Sequence, residues 1–313
     1  MRRAWIQQFI LGAHALSVMF HINTKEKLDL LTEAMRKAAK LGAKIFEIPY
    51  GLVGGEVTWQ MIAQAAKEAG IEEIALCHFW GYDDNGRSLC GDPLGDDVDV
   101  ARAFETMHDI VAAAEILREK VVVRFIDGPT WGGLGQDYSH LTITDRHNRM
   151  VKFFRVAAQI LKRAKLILAV EFLRPKEDKV VGGTRAMIKI LKAVNRANVR
   201  MHFDVFHSIE QGEDPAKMIR LAADWIVYLH LHGDKRIAPG AKGDHQDWDK
   251  IVATCKKILS RIKNMPVIPE PFGDDTVADC SALGDGVARM GPFVPYLEQA
   301  YTEFEEAGLP LAA

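Results

Sequence analysis

Strand-like and helix-like segments alternate along almost the whole chain, and this alternation limits the possible folds more than any other feature. Short apolar runs such as VVVRFI (Val121–Ile126) and LILAVEF (Leu166–Phe172) are each followed by a segment whose apolar residues recur every three or four positions. Eight such units fit into 313 residues, with no Pro/Ser-rich linker between them. The pattern predicts an α/β fold, a (β/α)8 TIM barrel, formed by a single domain over residues 1–313.

An open, doubly wound sheet is the alternative fold, because it also alternates strands with helices. No G-x-G-x-x-G motif follows a predicted strand, so a dinucleotide site has no support from the sequence. In a barrel, the reactive groups gather at the C-terminal ends of the strands. We therefore expect the active site at the ends of strands 5 to 8.

Charge and cysteine usage narrow the classes of partner and compartment. The chain carries 40 Lys plus Arg against 42 Asp plus Glu, and no basic cluster is interleaved with aromatic residues, so we expect no nucleic-acid partner. The four cysteines are widely spaced and form no C-x-x-C pair, which argues against a zinc knuckle or a disulfide framework. A reducing cytoplasm is the simplest location that these features predict.

The N-terminus resembles an export signal, because Arg2 and Arg3 precede an apolar stretch. Polar residues interrupt that stretch, and cleavage after it would remove the predicted first strand near Trp5–Ala15. We therefore keep the cytoplasm as the expected location. No run is long and apolar enough to cross a bilayer, so we expect no membrane partner.

Four neighbouring strands each end in or carry a side chain that can bind a metal: Glu171, Asp204, His230 and Glu270. Taken singly, each of these residues has an ordinary structural explanation, such as a helix cap or a buried core histidine. Three carboxylates brought to one barrel mouth would repel one another unless a cation neutralised them. Their shared level predicts a divalent metal, and the oxygen-rich set favours Mn²⁺, with Mg²⁺ or Co²⁺ as alternatives.

The stretch YLHLHGDKR (Tyr228–Arg236) explains how one strand contributes to this set. Side chains alternate between the faces of a strand, so His230 and His232 point away from the intervening Leu231. We expect His230 to point inward as a metal ligand. For His232 the sequence leaves two possibilities open: it lines the rim of the pocket or it faces the following loop.

Five stretches of the chain resemble the D-tagatose 3-epimerase family, which includes the D-allulose (psicose) and L-ribulose 3-epimerases among the xylose isomerase-like barrels. They are GPTWGGLG (Gly128–Gly135), EFLRPKE (Glu171–Glu177), DVFH (Asp204–His207), HLHGDKRIAPG (His230–Gly240) and EPF (Glu270–Phe272). The resemblance implies a metal held by the positions matching Glu171, Asp204, His230 and Glu270. It also implies that the two glutamates act as acid and base, and that Glu177, His207 and Arg236 contact the sugar. Trp131 offers an apolar face to a sugar ring or a simple packing surface.

The predicted reaction is epimerisation at C3 of a free ketose. One glutamate removes the C3 proton, a metal-stabilised enediolate forms, and the other glutamate returns a proton to the opposite face. The chain departs from the family pattern at Arg174-Pro175-Lys176, in the loop before Trp248 and over Gly273–Pro292, and these changes put the substrate in question.

Other functions remain open at this stage. A sugar isomerase, or a lyase or deglycosidase that acts on a keto-sugar or 3-keto-glycoside, would use the same metal site. An AP-endonuclease-like nuclease would need further His and carboxylate ligands and a basic groove. A non-catalytic sugar-binding barrel would not require both glutamates. We also expect a small-molecule sugar as substrate and a homo-oligomer, either a dimer or a tetramer.

Overall fold

The structure is a computed structural model, and it describes residues 9–14, 22–40, 42–77, 90–129, 137–175, 177, 180–234, 239, 243–259 and 265–268. Eight parallel strands follow one another around a closed barrel, and the last strand pairs with the first. They are β1 (Phe9–His14), β2 (Ile45–Pro49), β3 (Glu73–Cys77), β4 (Phe125–Pro129), β5 (Ile167–Glu171), β6 (Val199–Asp204), β7 (Ile226–His230) and β8 (Met265–Ile268). The predicted (β/α)8 barrel is confirmed.

Helices follow most of the strands in the described part of the chain. They are α1 (Lys25–Lys40), α2 (Trp59–Ala69), α3 (Asp97–Leu117), α4 (Ile143–Arg163), α5 (Thr184–Val194), α6 (Val205–Glu210), α7 (Pro215–Ala222) and α8 (Trp248–Leu259). The last predicted helix, near Val294–Ala307, lies outside the described residues. None of the described helices combines the length and the apolar content needed to cross a membrane.

Strands β2 and β3 are buried on both faces, which explains their nearly continuous apolar sequence. Outward-facing residues such as Phe46 and Ile48 of β2 belong to the large core between the barrel and its helices. Inward-facing residues form a smaller cluster inside the barrel: Ile45, Ala75, Phe125, Ala169, Tyr228 and Ile268. On β2, Glu47 shares the inner face with Ile45, because side chains alternate along a strand. The inner face therefore carries charge two residues beyond the apolar layer.

Two local predictions differ from the structure around β4 and β6. The fourth strand was expected over Val121–Ile126, but the ladder begins at Phe125, and Val122 contributes only an isolated bridge to Glu73. Val122 is half exposed at this end of the barrel. After β6, the short helix α6 begins at once, whereas the sequence analysis expected only the helix that starts at Pro215.

The described cysteines Cys77, Cys90 and Cys255 are buried and take part in no disulfide. Burial raises the pKa of the Cys255 thiol to about 12. This thiol therefore stays protonated and behaves as a small apolar group in the core. Cys280 lies outside the described residues.

Candidate active site and metal centre

The ends of β5, β6 and β7 bring acidic and imidazole side chains to one end of the barrel. Glu171 is the last residue of β5 and Asp204 is the last residue of β6, and both are buried. His232 lies two residues beyond the end of β7. Parallel strands place their carboxyl ends together, at the end where TIM-barrel enzymes carry their active sites. We call Glu171, Asp204, His207 and His232 the mouth cluster.

Asp204 is held in place because its two carboxylate oxygens have different partners. Its Oδ1 accepts hydrogen bonds from the backbone N–H groups of Phe206, at 2.7 Å, and His207, at 3.4 Å, and so caps α6. Its Oδ2 lies 2.8 Å from His232 Nε2 and 3.6 Å from His207 Nε2. The first turn of α6 thus fixes the position of Asp204 relative to His207 at the barrel mouth.

Electrostatics keep the Asp204 carboxyl ionised although it is fully buried. Burial by itself raises the pKa of this carboxyl, but the nearby His232 and His207 imidazoles outweigh burial and hold the pKa well below its usual range. An ionised, buried carboxylate needs a cationic partner or several hydrogen-bond donors. Asp204 is therefore suited to bind a cation together with its imidazole neighbours.

His207 is placed to donate a hydrogen bond into the site. Its Nδ1 accepts a hydrogen bond from the backbone N–H of Arg174, at 2.9 Å, so Nδ1 cannot carry a proton. In the neutral imidazole the proton is then on Nε2, which lies 3.9 Å from Glu171 Oε1 and 3.6 Å from Asp204 Oδ2. Glu171, Asp204 and His207 are close enough to share a metal ion, but a protonated Nε2 has no lone pair for one. The tautomer favours the substrate-contacting role expected for His207.

His230 is turned partly away from the mouth. Its Cα is paired with that of Asp204 in the β6–β7 register. Its Nε2 lies 3.1 Å from Glu47 Oε2, and its Nδ1 lies 3.7 Å from Glu171 Oε1. His230 is therefore close to one predicted ligand of the metal set, while its other nitrogen faces a carboxylate that the sequence analysis did not select. Its role as a metal ligand stays a prediction.

His232 lies inside the mouth and does not face the following loop. The side chain is fully buried, its Nε2 contacts Asp204 Oδ2, and its ring stacks on Phe206 with centroids 5.1 Å apart. After it, Gly233 permits a close approach of Asp244, whose carboxylate would overlap a Cβ at that position. Asp244 also accepts a hydrogen bond from the Trp248 indole, which ties the loop after β7 to the start of α8.

Glu177 forms a buried ion pair with Arg174. Glu177 Oε1 lies 2.9 Å from Arg174 Nε and 2.8 Å from Arg174 Nη2, and both side chains are almost fully buried. The Arg174 guanidinium also lies over the Phe206 ring, 5.5 Å from its centroid. A residue at which the chain departs from the epimerase pattern is thus in direct contact with a predicted sugar ligand. The sugar-binding role of Glu177 stays a prediction.

Three of the predicted site residues, Glu270, Arg236 and Trp131, lie outside the described residues. Glu270 as second acid/base and metal ligand, Arg236 as sugar contact and Trp131 as apolar wall therefore stay predictions. The described part of the site consists of the mouth cluster, the Arg174–Glu177 ion pair and the groups beneath them.

A second group of polar residues is buried inside the barrel beneath the mouth, and the sequence analysis selected only His230 among them. We call these residues the deep cluster: Glu47, Asp127, His202, Tyr228 and His230. The Tyr228 hydroxyl donates to Glu47 Oε2 at 2.6 Å, and His202 Nδ1 lies 2.5 Å from Asp127 Oδ1. The His202 and His230 rings are in edge contact, with centroids 4.0 Å apart. Glu171 joins the two clusters, because its Oε1 lies 3.7 Å from His202 Nε2.

Burial shifts the ionisation of the deep cluster. It raises the pKa of the Asp127 carboxyl, although the adjacent His202 imidazole acts in the opposite direction, and nearby Glu47 adds to the rise. Burial also raises the pKa of the Tyr228 hydroxyl well above its ordinary value, and the carboxylates of Glu47 and Asp127 raise it further. Tyr228 is therefore a fixed hydrogen-bond donor.

The mouth cluster fits a divalent cation. Ligand atoms of the buried Glu171, Asp204 and His207 lie within 4.8 Å of one another, and the buried His232 contacts Asp204. Carboxylates and imidazole together bind Mn²⁺, Co²⁺ and related ions. A bound ion would also neutralise carboxylates that would otherwise repel one another.

A family model for the xylose isomerase-like TIM barrel matches residues 35–290. This range is well over half of the chain, so the protein belongs to the xylose isomerase-like TIM barrel family. Its relatives include sugar epimerases: the chain is 22% identical to a D-psicose 3-epimerase of Enterocloster bolteae over 304 residues, which cover 93% of this chain and 92% of the relative.

Solved structures with the same fold include further epimerases. A structure of an L-ribulose 3-epimerase superposes with a TM-score of 0.75 and 20% identity, over 96% of this chain and 95% of that one. A 3-keto-D-glucoside 4-epimerase from E. coli superposes with a TM-score of 0.64 and 15% identity, over 91% of this chain and 100% of that one. At these identities the superpositions establish the fold.

Proposed function

We propose that the protein is a divalent-metal-dependent ketose 3-epimerase that acts on free sugars. The observation that carries the proposal is the mouth cluster, in which the buried Glu171 carboxylate lies beside ionised Asp204 and the donor His207. This arrangement offers a proton acceptor, a cation-binding carboxylate and a hydrogen-bond donor at one point. The D-psicose 3-epimerase relative supports the proposed reaction.

The proposed metal ligands are Glu171, Asp204, a histidine of the segment after β7, and Glu270. His232 is the imidazole nearest to Asp204, with Nε2 2.8 Å from Asp204 Oδ2, and a bound ion would take the place of the proton between these two atoms. His230, the ligand predicted from the sequence, contacts Glu171 from the side of the deep cluster. Mn²⁺ is the ion we propose, with Mg²⁺ or Co²⁺ as alternatives.

Proton transfer is the role we propose for Glu171. A divalent ion at the mouth supplies Lewis-acid stabilisation of the negative charge that develops on the sugar oxygens. The Glu171 carboxylate takes or returns the C3 proton, because it is buried, close to the cation site and shielded from bulk water. His207 Nε2–H donates to a sugar oxygen as the enediolate forms. Glu270 exchanges the proton on the opposite face of the sugar in this scheme.

A second candidate function keeps the metal site and changes the substrate: an isomerase, lyase or deglycosidase that acts on a keto-sugar or a 3-keto-glycoside. The buried Arg174–Glu177 ion pair favours it, because the carboxylate expected to hold the O1 end of a free ketose is already engaged by a guanidinium. The structural neighbour from E. coli, by its name a 3-keto-D-glucoside 4-epimerase, also favours a larger substrate.

Solvent-deuterium exchange tests the proposal and separates the two candidates. Metal-loaded protein is incubated in D₂O with a panel of free ketoses and 3-keto-glycosides, and NMR follows the carbon next to the carbonyl. Exchange at C3 of a free ketose, accompanied by the C3 epimer, is the expected result. Exchange confined to keto-glycosides would support the second candidate, and exchange with none of the substrates would contradict both.

A matched pair of variants ties the exchange to the mouth. Glu171→Gln should abolish exchange, whereas Glu210→Gln, an exposed glutamate on α6, should leave it unchanged. Equal rates in the two variants would remove Glu171 from the mechanism.

The cytoplasmic location, the homo-oligomeric state and the single domain over residues 1–313 stay predictions.

A further inference from the structure

The two histidines of the deep cluster converge on the inner side of Glu171. Glu171 Oε1 lies 3.7 Å from His202 Nε2 and 3.7 Å from His230 Nδ1. One ligand atom from each of the three residues lies within 4.8 Å of the other two, and all three side chains are buried. The same oxygen, Glu171 Oε1, also lies 3.9 Å from His207 Nε2 at the mouth.

Each of these two imidazoles has one ring nitrogen near Glu171 and the other beside a second carboxylate, which orients the ring. His202 Nδ1 lies 2.5 Å from Asp127 Oδ1, and His230 Nε2 lies 3.1 Å from Glu47 Oε2, which also accepts a hydrogen bond from Tyr228. Metal binding requires the tautomer in which the proton of each ring lies on the nitrogen that faces this second carboxylate, where the carboxylate oxygen can accept its hydrogen bond. In that tautomer the nitrogens directed toward Glu171 carry lone pairs. Metal-binding histidines are supported by carboxylates in the same way.

His202 supplies an independent indication that something binds at this point. Its side chain is fully buried, and its Nε2 makes no hydrogen bond with any of the residues that the structure describes. A buried polar atom without a hydrogen bond costs about 1–3 kcal/mol, so such atoms usually have a bound water, ion or other partner. In the tautomer that leaves a lone pair on His202 Nε2, a cation beside Glu171 Oε1, 3.7 Å away, would give this nitrogen a partner.

The distances suit a small divalent ion. Ligand atoms that lie about 2.1 Å from a tetrahedral ion are about 3.4 Å from one another, and small side-chain rotations would close the observed separations to that value. Two imidazoles with one carboxylate also form the ligand set of several catalytic zinc sites. Imidazole-rich sites favour Zn²⁺, Co²⁺ and similar transition-metal ions over Mg²⁺.

We propose that Glu171, His202 and His230 form a second divalent-metal site beneath the mouth, with Glu171 shared between the two ions. The deep site would take a transition-metal ion, whereas the oxygen-rich mouth suits Mn²⁺ or Mg²⁺. Glu47 and Asp127 act as positioning residues, because they orient the imidazoles and do not contact the ion. A competing explanation is that both imidazoles are protonated and neutralise the buried carboxylates without any ion.

Counting bound cobalt distinguishes these explanations. The full chain is stripped with a chelator and titrated with Co²⁺, excess ion is removed by gel filtration, and elemental analysis gives the ions bound per chain. We expect two ions in the unmodified protein and one in His202→Asn. His108→Asn, which changes an exposed histidine on α3, is the matched control and should retain two.

Each outcome bears on a different site. One ion in the unmodified protein would overturn the deep site and leave the mouth site intact, and no ion would contradict both. Two ions in His202→Asn would place the second ion elsewhere and overturn the proposal. If His202→Asn does not fold, the electron paramagnetic resonance spectrum of the unmodified protein loaded with Mn²⁺ decides. A shared Glu171 carboxylate predicts exchange-coupled ions, and two uncoupled ions would overturn the proposal.

Discussion

The mouth cluster and the deep cluster are made of the same side-chain types, but they differ in where the strands place them. Glu171 and Asp204 end their strands, and His207 and His232 follow strand ends, so the mouth residues lie at the end of the barrel where TIM-barrel enzymes carry their active sites. The deep residues Glu47 and His202 lie within strands and point into the closed barrel. Position along a strand therefore decides to which of the two clusters a polar residue belongs.

The two clusters also differ in the direction in which the pKa of a buried carboxyl is shifted. At the mouth, His232 and His207 hold the pKa of Asp204 well below its usual range, although burial acts against them. In the deep cluster, burial dominates and raises the pKa of Asp127, in spite of the adjacent His202. The pKa values of the two carboxylates therefore move in opposite directions, according to whether burial or the neighbouring imidazoles have the larger effect. Glu171, which contacts both clusters, links the chemistry at the mouth to the interior.

The largest expected effect comes from the residue that both clusters share. Glu171→Gln removes the proposed base and a charged ligand while preserving size, so solvent-deuterium exchange into substrate should fall by about a thousandfold or more. Single-turnover rates in D₂O measure the loss. A variant that retains more than a tenth of the normal rate would show that the mouth cluster does not depend on this carboxylate.

The second effect separates the two tasks of Asp204. Asn can cap α6 as well as Asp does, so Asp204→Asn should keep the fold and lose charge for the metal. Metal affinity should fall by more than about a hundredfold. Loss of a residue that only supports a ligand lowers metal affinity by up to about a hundredfold, and loss of a ligand itself should cost more. Asp214→Asn is the matched control, because Asp214 caps α7 and is exposed. Calorimetric titration with Mn²⁺ should show weaker binding in the first variant alone.

In the deep cluster, a substitution should affect stability more than rate. Tyr228→Phe keeps the ring packed on Phe125 but removes the hydrogen bond to Glu47 Oε2. The free energy of unfolding should fall by about 1–3 kcal/mol, because a buried carboxylate loses a donor. Urea denaturation gives the stability, and the exchange assay gives the rate. If the activation free energy of exchange rises by more than the free energy of unfolding falls, the deep cluster takes a direct part in catalysis.

The smallest effect is expected at the opposite end of the barrel from both clusters. Asn195 ends α5 in the left-handed conformation, at φ 51°, and its backbone N–H bonds to Leu191 O. Asn195→Ala should cost about 1–2 kcal/mol of stability, since a Cβ without a compensating polar group disfavours this conformation. Asn195→Gly should avoid that cost. Thermal unfolding distinguishes the two variants, and neither should change the exchange rate.

The fold and the mouth were accessible from the sequence because their patterns are local. Alternating apolar segments give the strands and helices, and parallel strands must bring residues such as Glu171 and Asp204 to one end. The start of β4 was misplaced because the run at Val121–Val123 looks like a strand, yet the ladder forms beyond it. Helix α6 was missed because only the Asp204 cap reveals where it begins.

The deep cluster was missed for a different reason. Residues at strand ends are the ones expected to be reactive in a barrel, whereas Glu47, Asp127 and His202 lie within their strands. A lone carboxylate within an apolar strand, as in IFEIP or FIDGP, was the available indication, because parallel strands are buried on both faces. Which ring nitrogen of His207 or His230 faces a carboxylate depends on rotamers set by tertiary contacts, and the sequence does not encode this locally.

Metal removal tests the central claim most directly. The protein is exhaustively chelated, its residual metal is measured by elemental analysis, and solvent-deuterium exchange into the best substrate of the panel is followed before and after Mn²⁺ is returned. We predict that exchange disappears with the metal and recovers when the ion is added. Full exchange by protein that contains no detectable metal would contradict a mouth cluster that works through a divalent cation.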